Sequence, residues 1–233
     1  MTILPDGLLL LTGYLLGAFP FGLIIVWLFS RQDVRQIGSG RTGATNALRA
    51  AGLSAGILTA LFDVLKGAAP IWLVRAIVPD KPWLAVLAGV FAVVGHNYSI
   101  FLVDRTPDEE TGRKRFRLKG GAGGATTFGG SIGLWGWSAA IVLPIGVLVL
   151  YGLGYASVAT ISVGLVVTLI MTVLYFAGES PWQYIFFGVI IMPVLLWSLR
   201  PNIRRLRDGN ERMVGWRAKR RRQAEAEAAA KSV

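Results

Sequence analysis

The residues best equipped for chemistry lie in Gly38-Ser39-Gly40-Arg41-Thr42-Gly43-Ala44-Thr45-Asn46-Ala47-Leu48-Arg49, between two long apolar runs. The glycines let backbone approach a ligand closely and turn N–H groups toward an anion. Ser39, Thr42, Thr45 and Asn46 add neutral donors, and Arg41 and Arg49 add fixed positive charge. This combination suits a phosphate held at a membrane surface, although a plain glycine-rich connector between helices has the same composition. A second loop, Lys119-Gly120-Gly121-Ala122-Gly123-Gly124-Ala125-Thr126-Thr127, repeats the chemistry and also begins where an apolar segment is due.

Composition decides what must position these loops. Hydrophobic residues make up 54% of the 233, and the mean hydropathy is +0.56, above the roughly 45–50% apolar content of soluble domains. Six apolar runs, at 7–29, 50–78, 83–103, 133–153, 156–176 and 182–199, are close to the roughly 20 residues that cross a bilayer as helix. The chain is therefore expected to be an all-α, polytopic integral membrane protein. The first run has no basic leader and no small-residue cleavage site, so it is expected to remain as a helix. The absence of cysteine excludes disulfides and thiolate chemistry, and a single histidine excludes a histidine metal cluster. No cofactor and no metal are expected.

The net charge of +11 gives an orientation. Arg31, Arg35, Arg41 and Arg49 crowd the first polar loop, and a second basic cluster follows Leu199, so both belong on the cytoplasmic side. The stretch 104–119 is also rich in Arg and Lys, whereas Glu179 is the only charge between 177 and 181 and points to the outside. These assignments need an odd number of crossings between Lys119 and Glu179, yet hydropathy supplies two. The missing crossing is assigned to Gly120–Ser131, a small-residue stretch whose roughly 12 residues rise only about 18 Å as helix. Such a segment can cross only where protein or a watery cavity covers its irregular ends. The count becomes about seven helices, with the N-terminus outside, the C-terminus cytoplasmic and both glycine loops on the cytoplasmic face. Residues 1–211 then form the membrane-embedded domain and 212–233 a basic tail suited to anionic lipid headgroups, with no nucleic acid as partner.

Ionisable groups within the apolar runs are few. Asp63 and Lys66, spaced i,i+3, share a helix face, where they serve either a functional polar site or helix locking. His96, at the end of the third run, is either a structural hydrogen-bonder or a proton acceptor beside the loops.

Taken in order, Gly38-Ser39-Gly-x-x-Gly43-Ala44-Thr45-Asn46-x-x-Arg49, Asp63-x-x-Lys66-Gly67, Gly95-His96, Lys119-Gly120-Gly121-x-Gly123-x-Ala125-Thr126 and Asn202-Ile203-x-Arg205-Leu206-x-x-Gly209-x-Glu211 resemble the acyl-phosphate:glycerol-3-phosphate acyltransferases of bacteria, over most of the chain. The resemblance implies a seven-helix membrane bundle in the bacterial inner membrane with its site facing the cytoplasm. It also implies transfer of a fatty acyl group from acyl phosphate to the 1-hydroxyl of glycerol 3-phosphate, giving lysophosphatidic acid for phospholipid biosynthesis. Acyl phosphate is already activated, so positioning and charge stabilisation matter more than a strong nucleophile. The site residues implied are Ser39, Asn46 and Arg49 around phosphate and the reacting carbonyl, with His96 and Asn202 completing the catalytic set. Gly38, Gly40, Arg41, Thr45, Lys66, Lys119, Gly120, Gly121, Gly123, Thr126 and Ser157 are expected to bind substrate, and Glu211 to be structural.

Three departures from the family pattern bear on the site. The second lysine of the family's glycine loop is Ala122 here, a histidine of the pattern falls on Leu199, and Arg41 stands where the family usually has asparagine. One positive charge is thereby moved from the second loop to the first. An insertion spans 104–118. The alternatives are a diverged acyltransferase with an altered substrate, and a small transporter or flippase for a phosphorylated lipid precursor that uses Asp63 and Lys66. Against the transporter, no inverted repeat is visible and the polar motifs gather at one face.

Overall fold

A computed structural model of the chain describes residues 3–104 and 116–231. The chain runs α1 Ile3–Ala18, α2 Phe21–Ser30, α3 Ala44–Ile77, α4 Pro82–Asn97, β1 Ser99–Asp104, β2 Arg117–Lys119, α5 Gly124–Leu134, α6 Ser138–Leu153, α7 Ala156–Phe176, α8 Ile185–Ser198, α9 Arg200–Arg207 and α10 Gly215–Lys231. Among the described residues, Pro5–Ser30, Ala44–Ile77 and Ala156–Phe176 are long and apolar enough to cross a membrane. Trp182–Ser198 qualifies together with Arg200–Arg207, from which it bends by 65°, while Pro82–Asn97 and Ser138–Leu153 are shorter apolar helices.

Two apolar runs differ from the sequence expectation. The first is interrupted at Phe19 and Pro20, because proline at position 20 cannot donate a helical hydrogen bond. The third stays helical only to Asn97, and its remainder, Ile100 to Val103, pairs as β1 antiparallel to β2. The β-branched and aromatic residues of Ser99–Asp104 fit a strand, and hydropathy alone does not distinguish it from the end of a helix. The 104–118 insertion thus carries a strand at each end, and its centre, 105–115, lies outside the described residues.

Contacts sort the elements into two ends. At one end, Lys81 Nζ pairs with Asp6 at 2.7 Å, Arg75 Nη1 donates to the carbonyls of Gly133 and Leu134, and Trp83 stacks edge-on against Trp182. The other end gathers residues 31–43, the β1–β2 ribbon, the α6–α7 turn and α9. The short helix α5 meets α3 backbone to backbone at its glycines: a Cβ on Gly67 would lie 2.1 Å from the Thr126 carbonyl oxygen, and one on Gly129 would lie 1.9 Å from that of Val64. Backbone contact of this kind lets a small-residue helix sit within a membrane bundle. The core around it is made of Ile71, Met171, Phe187, Ile191 and Leu195, all fully buried, while Leu148, Leu169 and Phe176 point outward at 73%, 63% and 81% exposure. An apolar exterior around an apolar core is what a lipid solvent demands.

Candidate active site

The first glycine loop is shaped by one side chain. Asn46, in the first turn of α3, donates from Nδ2 to the carbonyls of Val34, Ile37 and Arg41 at 2.8 to 3.0 Å. Its Oδ1 accepts from the Ser39 N–H at 3.3 Å. A Cβ on Gly38, whose φ is +54°, would meet that same oxygen at 2.5 Å, so the loop closes around Asn46 only with glycine there. Asn46 is thereby occupied in shaping the loop. Ser39 and Arg49 are left to face the interior.

The second loop is templated on His96. Gly121 N–H donates to the His96 carbonyl at 2.9 Å, and Thr42 N–H donates to the Gly120 carbonyl at 3.3 Å, which stitches the two loops together. A Cβ on Gly121 would stand 1.9 Å from His96 Nε2, so the ring lies directly against this glycine. On its other side His96 Nδ1 is 3.5 Å from Asp63 Oδ1. Asp63 also pairs with Lys66 Nζ at 3.0 Å, and Lys66 in turn donates to the Phe19 carbonyl at the α1–α2 break. The i,i+3 pair predicted from sequence is therefore a buried lock between α3 and the broken first span. Lys66 stands behind the site and does not line it.

Between the loops lies a cavity of about 120 Å3. Of the predicted site residues it is lined by Ser39, Arg41, Thr45, Asn46, Arg49, His96, Gly123, Ser157 and Asn202. Gly38, in the first loop, packs against Asn46, and Gly121, in the second, packs against His96, so neither lines this cavity. Thr126 is buried in α5. Gly40, Lys119 and Gly120 line a neighbouring, larger cavity of about 750 Å3 instead, which also carries Arg41, Arg200, Arg204 and Arg205. There Lys119 Nζ is 2.5 Å from Asp104 Oδ2. Ser39 and Arg41 face both cavities.

Arg41 forms the partition. Its Nη1 donates to the Gly121 carbonyl at 2.7 Å and to Ser198 Oγ at 2.9 Å, and Nη2 donates to the Ser198 carbonyl. These partners are carbonyl and hydroxyl oxygens, and burial pushes the guanidinium below the usual arginine range. The acceptors adjoin Ala122 and Leu199, the two apolar positions at which the sequence departs from the pattern it resembles. On the far wall, Asn202 Nδ2 donates to Glu211 Oε1 at 2.7 Å, and Arg205 Nε donates to Glu211 Oε2 at 3.0 Å. Glu211 thus holds the C-terminal wall in place. Ser157 Oγ and Asn202 Oδ1, both buried at the cavity, have no hydrogen-bond partner within the protein, which leaves them available to a ligand.

Sequence reasoning missed Thr160 and Arg212, which also line the cavity. Thr160 stands i+3 from Ser157 on α7, a spacing that puts both on one face and could have found it. No comparable signal marks Arg212.

A second, apolar cavity shares Thr45, Gly124, Ala125, Ala156 and Thr160 with the polar one and continues between α5, α6 and α7 along Phe128, Val142, Leu143, Val147, Leu150 and Val163. The site is thus a cationic pocket that runs into a hydrocarbon-lined groove. Residues 7–209 match the model of the glycerol-3-phosphate acyltransferase family. The chain belongs to that family. Its relatives include glycerol-3-phosphate acyltransferases of Rubrobacter xylanophilus, 36% identical over 91% of this chain and 96% of the relative, and of Alkaliphilus metalliredigens, 33% identical over 89% and 95%. Among solved structures, the glycerol 3-phosphate form of PlsY, an integral membrane glycerol 3-phosphate acyltransferase, superposes with a TM-score of 0.73 at 30% identity, covering 91% of this chain and 96% of that one. Its lysophosphatidic acid form gives 0.72 at 29%. For an acyltransferase of this family, the polar cavity and the groove that leaves it are the natural active-site candidate.

Proposed function

We propose that this protein transfers a fatty acyl group from acyl phosphate to the 1-hydroxyl of glycerol 3-phosphate, releasing lysophosphatidic acid and inorganic phosphate. The observation that carries the reading is the continuity of the cationic cavity with the apolar groove: one substrate is a phosphate joined to a hydrocarbon chain, and the pocket has both halves in that order. The glycerol hydroxyl oxygen attacks the acyl carbonyl carbon, the bond from that carbon to the phosphate oxygen breaks, and phosphate leaves with the bonding pair. The hydroxyl proton passes to a phosphate oxygen or to His96. Ser39 and Arg49 bind phosphate and the developing oxyanion, since fixed donors in a water-poor site stabilise the transition state most effectively. Ser157 and Asn202 hold glycerol 3-phosphate with their unpartnered oxygens.

Arg41 supplies the charge that Ala122 and Leu199 do not, from the partition where its guanidinium reaches the backbone beside both. The outer cavity, with Lys119, Arg200, Arg204 and Arg205, draws the anionic acceptor in from the water side. The contacts tying α1 to α4, α3 to α5 and α4 to Trp182 at one end, with both loops and α9 at the other, support seven crossings. With the excess of arginine at the loop end, they support a site facing the cytoplasm from the bacterial inner membrane.

The test is direct. Purified protein given acyl phosphate should release phosphate only when glycerol 3-phosphate is present, with one lysophosphatidic acid formed per phosphate. Phosphate release indifferent to glycerol 3-phosphate would contradict the assignment.

A further inference from the structure

The segment after Asn210 lies beyond residues 7–209 that the family model covers, and among the described residues nothing after Arg212 lines the polar cavity. It is nevertheless built onto the fold. Met213 bridges Tyr155, Val214 N–H donates to the Gly154 carbonyl at 2.8 Å, and Arg49 Nη2 approaches the Met213 carbonyl at 3.5 Å. The chain then enters α10, where Trp216 Nε1 donates to the Tyr151 carbonyl at 3.1 Å, in the last turn of the apolar helix α6. Ala218 is buried, whereas Arg217, Lys219, Arg220 and Arg221 are exposed. The sequence packs five cations into positions 217–222.

We infer that α10 is a docking surface for anionic phospholipid headgroups, seated at the membrane boundary beside the α6–α7 turn. Charge complementarity identifies the class of partner, and the position of Trp216 identifies the source. Its ring is half exposed next to Tyr151 and Leu153, which are themselves 44% and 46% exposed at the end of an apolar helix, so it stands where the hydrocarbon-facing surface ends. Trp at that level is the usual interfacial anchor. The Arg217 and Arg220 guanidiniums each lie 5.5 Å from the ring centre, which places the first cations of the helix in the headgroup layer. Each Lys or Arg near an anionic surface strengthens association by about fivefold. A nucleic acid would need the same charges but gives no reason for a tryptophan at the hydrocarbon edge. The proposal stands apart from the acyltransferase reading, and its readout is not activity.

The chain contains no cysteine, so an Ala224→Cys variant of the full-length protein accepts a single spin label on α10. In vesicles of phosphatidylcholine mixed with phosphatidylglycerol, the label should become immobilised and shielded from a water-soluble relaxant. In phosphatidylcholine alone it should remain mobile. High salt should abolish the difference, because surface attraction is screened within about 3 Å at 1 M. Adding R217Q/K219Q/R220Q/R221Q should remove the response to phosphatidylglycerol while leaving the spectrum in phosphatidylcholine unchanged. If that variant does not fold, the lipid and salt comparison on the Ala224→Cys protein decides alone. Identical spectra in the two lipids would overturn the inference, as would immobilisation by single-stranded RNA but not by phosphatidylglycerol.

Discussion

Replacing Arg41 by asparagine removes the partition between the two cavities. Asparagine is too short to reach the Gly121 carbonyl or Ser198, so all three donations are lost along with one unit of charge. A unit charge about 5 Å from a bound phosphate, at the effective dielectric of about 20 suited to such a site, interacts by about 3 kcal/mol. Residual solvent screening at this partly buried position reduces this to about 1.5–2.5 kcal/mol, or roughly a 10- to 100-fold fall in kcat/KM for glycerol 3-phosphate. If the cation has moved from the second loop to the first, adding Ala122→Lys should restore about tenfold of the loss in the Arg41→Asn background and little in the parent. The assay is steady-state phosphate release with varied glycerol 3-phosphate across the four proteins of the cycle, with melting temperatures measured alongside to separate the loss of the bridge from unfolding. A silent Arg41→Asn, or two effects that simply add, would show that the charge was not relocated.

Arg49→Ala should lower turnover by about 100-fold or more, the cost of removing one preorganised donor, and Arg49→Lys should also be poor because an ammonium cannot reproduce the guanidinium fork; a near-normal rate would reduce Arg49 to a positive-inside anchor. Gly121→Ala should abolish activity while Gly136→Ala does not, since a Cβ at 121 meets the His96 ring at 1.9 Å and one at 136 meets nothing within 4 Å; kinetics of the two purified variants check this. Single cysteines at Gln32, Phe116 and Asn210 should react with an impermeant maleimide only from the cytoplasmic side, and cysteines at Asp80 and Glu179 only from outside. Labelling of Phe116 from outside would break the seven-crossing topology.

The bundle itself was legible because lipid imposes one requirement, about 20 apolar residues per span; the runs at 50–78 and 156–176 meet it within one helix, 7–29 across its break, and 182–199 only together with the bent helix that follows. The short α5 was legible only through charge parity, since its glycines and threonines carry little hydropathy and its place depends on backbone contact with Gly67 and Val64. Strand β1 was not legible, because Ile100 to Val103 are as apolar as the helix before them. In the site, nine of the residues singled out by type and spacing line one cavity. Type and spacing could not assign roles within it. Asn46 and Lys66 are polar, yet their hydrogen bonds are directed to backbone carbonyls and to Asp63, and only tertiary geometry shows this. The partition made by Arg41 was equally hidden, as its Ser198 partner is 157 positions away.

The central claim is that the bond broken in acyl phosphate joins the acyl carbon to the bridging oxygen. Supplying the purified protein with glycerol 3-phosphate and acyl phosphates of several chain lengths, each carrying heavy oxygen at the bridge, tests it by mass spectrometry of the products. Acyl transfer predicts that the heavy oxygen leaves in inorganic phosphate and that the acyl group appears, free of it, in lysophosphatidic acid. Heavy oxygen retained in free fatty acid, with phosphate passed to water or to glycerol 3-phosphate, would mean phosphoryl chemistry and contradict the account.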